Sequence, residues 1–266
     1  MKTAPAILFA LLSLLATACS TVSPLRGTSG RFVPREIVVN GASHRYQVFV
    51  PAKDAGGDHP PVILFLHGAG ERGGDNRAQL SAGLGPYLRA HANDFPAIVV
   101  LPQVPAGEFW LEANPRIALA ALDAASREFR GDPKRTYLTG LSMGGYGTWE
   151  TALANPRKSA ALVPICGAIE PPPNPEYARL RVAGVADAPD PYAAPAARLR
   201  DKPIWMFHGA RDDVVPPGDD RKIFAALKAA GADVRYTEFP DANHNAWDPA
   251  YNTPELWVWL FAQKLR

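Results

Sequence analysis

Two cysteines among 266 residues are too few for a disulfide framework. An excess of charge is missing as well, because 28 Lys and Arg stand against 26 Asp and Glu. A chain so close to neutral has no concentrated basic face with which to hold a nucleic acid. It also lacks an apolar run of membrane length. The run Ala6–Ala16 has eleven residues and would rise roughly 16 Å as a helix, about half of a hydrocarbon core. Metal and phosphate signatures are absent too: there is no H-E-x-x-H, no paired C-x-x-C and no G-x-x-x-x-G-K. The expected chemistry therefore needs no metal and no organic cofactor. What the chain does have is 47% hydrophobic residues, enough for a large core. It also has 27 prolines, about twice the usual ~5% share.

The start of the chain reads as an address. Lys2 precedes the run Ala6–Ala16, and small residues follow it, so residues 1–18 are expected to be a secretory signal. Leu15-Ala16-Thr17-Ala18-Cys19 resembles a bacterial lipobox, which implies lipid attachment at Cys19; cleavage near Ala18 to give a free secreted protein is the alternative. Either way the protein is expected to be exported, as an envelope lipoprotein or as a periplasmic or secreted protein. A membrane contact is expected only through that lipid. With Cys19 acylated, Cys166 is the one thiol left and no intramolecular disulfide can form. Residues 19–35, rich in Ser, Thr, Gly and Pro, read as a flexible tether.

From Glu36 onward strands and helices alternate. Glu36–Asn40 and Arg45–Val50 flank a short loop and predict an antiparallel hairpin. Val62–Leu66 is continuously apolar, the mark of a strand covered on both faces. The pattern recurs at Ala97–Leu101, Thr136–Thr139, Ala160–Ile165 and Pro203–Phe207, and Val234–Phe239 alternates more. Helices are expected at Ile117–Phe129, Tyr146–Ala154, Asp219–Ala230 and Glu255–Leu265. This is an α/β pattern: a mainly parallel sheet of about eight strands, an N-terminal antiparallel hairpin, and helices on both faces. Such sheets bind ligands beyond the carboxyl ends of their strands. Residues 36–266 read as a single catalytic domain. The segment Ala168–Lys202, with seven prolines, interrupts it as a long excursion with a helical turn near Ala194–Leu199.

Gly140-Leu141-Ser142-Met143-Gly144 matches G-x-S-x-G between an apolar strand and a helix start, the setting of a nucleophile elbow. A serine hydroxyl needs a base to take its proton. Of six histidines, His44, His59 and His91 lie in the hairpin, the loop after it and the end of a surface helix. His67 and His208 each end a strand before a glycine and read as structural. His244, in the loop after the last strand, comes last in the order Ser, Asp, His and is the expected base. The carboxylate that orients it should lie in His208–Pro216, where Asp212 and Asp213 are adjacent and point opposite ways in an extended loop. Two backbone N–H groups should hold an oxyanion: that of Met143, and that of Ala69 in the loop Leu66–Gly70.

Leu66–Gly70, Gly140–Gly145, His208–Pro216 and Asp241–Trp247, taken in order, resemble the α/β-hydrolase superfamily. Within it the resemblance is to serine esterases of the carboxylesterase, feruloyl-esterase-like and prolyl-oligopeptidase-like group. It implies the α/β-hydrolase fold and a Ser–His–Asp triad of Ser142, His244 and Asp212, the acid taking the fifth position of H-G-x-x-D. It implies an oxyanion hole at Ala69 and Met143, and a lid at Ala168–Lys202. The activity implied is hydrolysis of carboxylic esters, small or linked to polysaccharide, through an acyl-enzyme. A peptidase of the prolyl-oligopeptidase-like type is the second reading, and a non-catalytic envelope binding protein the third. Trp110 and Trp247 are candidates for substrate contact. Glu71-Arg72 is expected either to orient a polar substrate or to form an exposed pair.

Overall fold

The computed structural model describes residues 29–265. The expected signal segment, Cys19 and most of the expected tether lie outside the described residues. Eight strands form one sheet: β1 (Arg31–Val39), β2 (Ala42–Val50), β3 (Val62–Leu66), β4 (Ile98–Pro102), β5 (Thr136–Leu141), β6 (Ala161–Ile165), β7 (Ile204–Gly209) and β8 (Val234–Phe239). Their order across the sheet is β1-β2-β4-β3-β5-β6-β7-β8. The β1–β2 and β2–β4 pairs are antiparallel, and every other pair is parallel.

The hairpin turns at Asn40-Gly41, both with positive φ (52° and 80°), the two-residue turn whose twist matches that of its strands. Its first strand corrects the expected tether of residues 19–35. Arg31–Arg35 already belong to β1, paired from Val50 to Tyr46. Pro34 is accommodated because β1 is an edge strand, where a missing N–H can face solvent at no cost to the ladder.

Continuous apolar runs form the centre because both faces are covered. Val62, Leu64 and Leu66 of β3 join one core layer, and Ile63 and Phe65 the other. On the first face lie α3 (Asn114–Glu128), α4 (Met143–Ala154), α5 (Ala193–Leu199) and α6 (Gly218–Ala229), contributing among others Leu122, Trp149, Leu199 and Ile223. On the second lie α2 (Leu84–Ala90), α7 (Trp247–Tyr251) and α8 (Pro254–Ala262), with Leu88, Tyr251 and Leu260. Each such fully buried side chain is worth about 1.5–3 kcal/mol. The single-turn α1 (Lys53–Gly56) lies between β2 and β3 and buries nothing. Among the described residues no helix is long and apolar enough to cross a membrane.

The excursion after β6 carries two 3₁₀ turns, Pro175–Tyr177 and Ala183–Val185, and then α5. It is not a loose loop. Leu180, Val182, Val185 and Leu199 are buried against the α4–α6 layer.

Candidate active site

β5 ends where Ser142 begins a sharp turn into α4. Ser142 has φ 53° and ψ −120°, a strained conformation for a residue with a Cβ. The turn is possible because no side chain intervenes behind it. A Cβ on Gly144 would lie 1.9 Å from the Leu66 carbonyl oxygen, and one on Gly140 would lie 2.2 Å from that of Gly144. The serine hydroxyl is thereby carried past the sheet edge, half-buried.

Three loops converge on it. Ser142 Oγ lies 2.8 Å from His244 Nε2, and His244 Nδ1 lies 2.7 Å from Asp212 Oδ2. Because Nδ1 faces a carboxylate oxygen, it carries the proton, and Nε2 is left to accept from the serine hydroxyl. Asp212 Oδ1 accepts from the Val214 and Val215 N–H groups, both at 2.9 Å. Burial alone would raise the Asp212 carboxyl, but hydrogen bonds from His208 and His244 and from this backbone hold it well below the usual range. Of the adjacent pair, Asp212 is buried and joined to His244, whereas Asp213 is exposed. Arg211 pairs with Asp241 at 2.6 Å, not with Asp213.

Ala69 and Met143 both occupy the first position of a helical turn, where backbone N–H groups have no acceptor within the turn. The Ala69 N–H shares a peptide plane with the Gly68 carbonyl, and that carbonyl is held. The Val104 N–H donates to His67 Nε2 at 3.0 Å, so Nδ1 carries the ring proton and donates to Gly68 O at 2.7 Å. In a trans peptide C=O and N–H point oppositely, so this bond fixes the direction of the Ala69 N–H. His67 is buried, and desolvation lowers its pKa to about 4, which keeps it neutral. Arg72 donates to the Ala69 carbonyl at 2.8 Å and stacks over Phe109.

The serine and histidine open into a cavity of about 290 Å³, walled by Leu141, Pro172, Tyr177, Leu180, Val215 and Trp247, with Ala69 and Glu71 from the segment after β3. Three walls, Pro172, Tyr177 and Leu180, come from the excursion. Trp247 meets His244 edge to face at 5.5 Å. Trp110 does not reach the cavity, and its expected role as a substrate contact is corrected. It is buried behind the loop after β3, where its indole N–H donates to the His67 carbonyl at 2.9 Å. Glu71 and Arg72 form no ion pair among the described residues. Glu71 faces the cavity, and burial raises its carboxyl.

Cys166, Asp212 and His244 offer three ligand-type atoms within 4.8 Å of one another. They do not fit a metal site. The facing atoms of His244 and Asp212 are bonded to each other, and burial raises the Cys166 thiol well above its ordinary value, against the thiolate a metal needs.

His67 and His208, structural by their sequence setting, lie against the Gly68 carbonyl and the Asp212 carboxylate respectively. The signal was each histidine's place before a glycine at a strand end, next to the loops that carry Ala69 and Asp212.

Comparison with known proteins bears on the fold. Residues 175–260 match the prolyl oligopeptidase family. A thermostable esterase of known structure is 31% identical, with 88% of this chain and 63% of that one covered and a TM-score of 0.70. The chain thus spans 63% of that esterase's length. A ferulic acid esterase is 17% identical (88% and 98% covered, TM-score 0.64), and the acylaminoacyl peptidase of Pyrococcus horikoshii is 17% identical (90% and 42% covered, TM-score 0.64). At that identity these two share the fold alone. No curated protein matches the chain. With its strand order, its strained serine turn and these likenesses, the chain has the α/β-hydrolase fold and resembles the serine esterases.

Proposed function

We propose that the protein is a serine hydrolase that cleaves carboxylic esters through an acyl-enzyme. The observation that carries this is the continuous chain from Ser142 Oγ through His244 to Asp212, at 2.8 and 2.7 Å, opening into a largely apolar cavity. Ser142 attacks the ester carbonyl while His244 Nε2 takes its proton. The tetrahedral oxyanion is met by the Ala69 and Met143 N–H groups, fixed before the reaction begins. The intermediate collapses, and His244 returns the proton to the departing alcohol. Water then repeats the cycle on the acyl-enzyme and frees the acid. Asp212 holds the imidazole in the right tautomer and stabilises the imidazolium.

Peptide hydrolysis is the second reading, favoured by the match of residues 175–260 to the prolyl oligopeptidase family. Esters rank first because the 31% identical relative is named an esterase and because the cavity, of about 290 Å³, is small. A fluorophosphonate should label the purified protein, and Ser142→Ala should abolish labelling. A folded wild type that stays unlabelled ends the hydrolase reading. Rates on p-nitrophenyl acetate, methyl ferulate and a peptide amide then separate the two readings, and turnover of the amide alone reverses their order.

A further inference from the structure

Behind the acid of the triad stands a second histidine–aspartate pair. His208 is the last residue but one of β7, and Asp220 lies in the first turn of α6. His208 Nδ1 lies 2.8 Å from Asp220 Oδ2. On the other side of the ring, His208 Nε2 lies 2.8 Å from the Val215 carbonyl and 3.2 Å from Asp212 Oδ2. The side chains of His208, Asp212 and Asp220 are all 0% exposed.

These contacts, with the relative basicity of the partners, decide the protons. A carbonyl oxygen only accepts, so Nε2 must carry hydrogen. Nδ1 faces a carboxylate oxygen, so a proton lies in that bond also. At neutral pH that proton belongs to the ring, because His208 is the stronger base of the pair, with Asp220 raised only to about 6, and the ring lies as an imidazolium between two buried carboxylates. Burial by itself would lower the His208 pKa, but hydrogen bonds to Asp212 and Asp220 raise it to about 10.

The same oxygen of Asp212 is thus shared by two histidines, while its other oxygen takes the Val214 and Val215 N–H groups. Rotation of the carboxylate when His244 gains its proton would break the two backbone bonds to Oδ1 and the His244 bond to Oδ2, and would move Oδ2 away from the His208 ring. Charge points the same way. Asp212 and Asp220 alone would bury two negative charges. With His208 the group carries one, the charge that an imidazolium at His244 requires in the transition state.

We propose that His208 and Asp220 are positioning residues for acyl transfer, acting through Asp212 to keep it charged and correctly turned toward His244. The proposal rests on the serine hydrolase reading above. They touch no substrate, so their effect falls on kcat and leaves KM little changed.

The test uses the full chain, with Asp220→Asn as the near-isosteric variant and His208→Gln as the second. Each should lower kcat on p-nitrophenyl acetate, and the rate of fluorophosphonate labelling, by about tenfold or more, the worth of one hydrogen bond to a charged group. The decisive arm is the Asp212→Asn background. There Asp220→Asn should cost nothing further, because its route to His244 has gone. A second tenfold loss there would mean a general packing effect and overturn the proposal. So would full kcat in both folded single variants. Wild type without labelling would sink the hydrolase reading and this proposal together, whereas labelled wild type with undiminished variants sinks this proposal alone. Should both variants unfold, the wild-type ¹⁵N spectrum near neutral pH still decides. Both His208 ring nitrogens should be protonated, and a neutral tautomer there overturns the proposal.

Discussion

His67 shows how much a single side chain can hold when both of its nitrogens have fixed partners. Its ring joins the Val104 N–H to the Gly68 carbonyl and so aims the Ala69 N–H. Replacing it by Phe would strand a buried donor and a buried acceptor and free the peptide to turn. We expect His67→Phe to lower kcat by roughly ten- to a hundredfold, short of the 10²–10³ for outright loss of an oxyanion donor, with KM little changed. His67→Asn keeps a donor near the Nδ1 position and should recover part of the loss. Equal kcat in the Phe variant and wild type would show that the peptide is held without His67. Ser142 and His244 were legible in sequence because their signals are local: glycines flanking a serine, and chain order. Asp212 against Asp213 was not decided by local pattern, since neighbours differ only in which way the loop turns them. The roles of His67, His208 and Trp110 were hidden because their partners lie 37, 12 and 43 positions away.

At the level of elements, close approach explains more than propensity does. Gly144 lies in the first turn of α4, where alanine would favour the helix by up to about 1 kcal/mol. Its Cβ would nevertheless stand 1.9 Å from the Leu66 carbonyl, a backbone atom that cannot swing away. Gly144→Ala should therefore destabilise the fold by about 1–3 kcal/mol or more, read as a lower urea midpoint. A midpoint equal to wild type or higher would mean that α4 can move off β3 freely. Most strands were legible because burial on both faces leaves continuous apolar runs. The five residues of β1 before Glu36 were not, because an edge strand carries polar residues and a proline without penalty. α7 escaped because a short helix has too few turns to display a period, and α2 was legible only as a surface helix ahead of His91. The Pro-rich excursion was legible as an interruption, though not as cavity wall. Its prolines concealed that Tyr177 and Leu180 fold back over the serine.

For the molecule as a whole, the buried histidines give stability a lopsided dependence on pH. His208 keeps its proton to about 10 in the folded chain, against 6.5 as an ordinary value. The unfolded chain therefore binds fewer protons above 6.5, and this contribution, complete below 6.5, is lost as pH rises toward 10. Cys166 acts in the same sense once pH exceeds its ordinary 9.0, because the folded thiol stays protonated. On the acid side two groups oppose each other. His67, lowered to about 4, costs stability as pH falls from 6.5, since only the unfolded chain takes up that proton. Asp220, raised by burial to about 6 despite His208, gains its proton earlier in the folded chain and returns stability over much of the same range. Urea unfolding should accordingly show a shallow profile between about pH 4 and 6.5 and a steady fall above it. One proton limits that fall to about 1.4 kcal/mol per pH unit. His208→Gln should flatten the stretch between neutrality and the onset of thiol ionisation. A wild type as stable at pH ~9 as at pH ~6.5, or a His208→Gln chain with the wild-type slope, would show that the ring is not cationic in the fold.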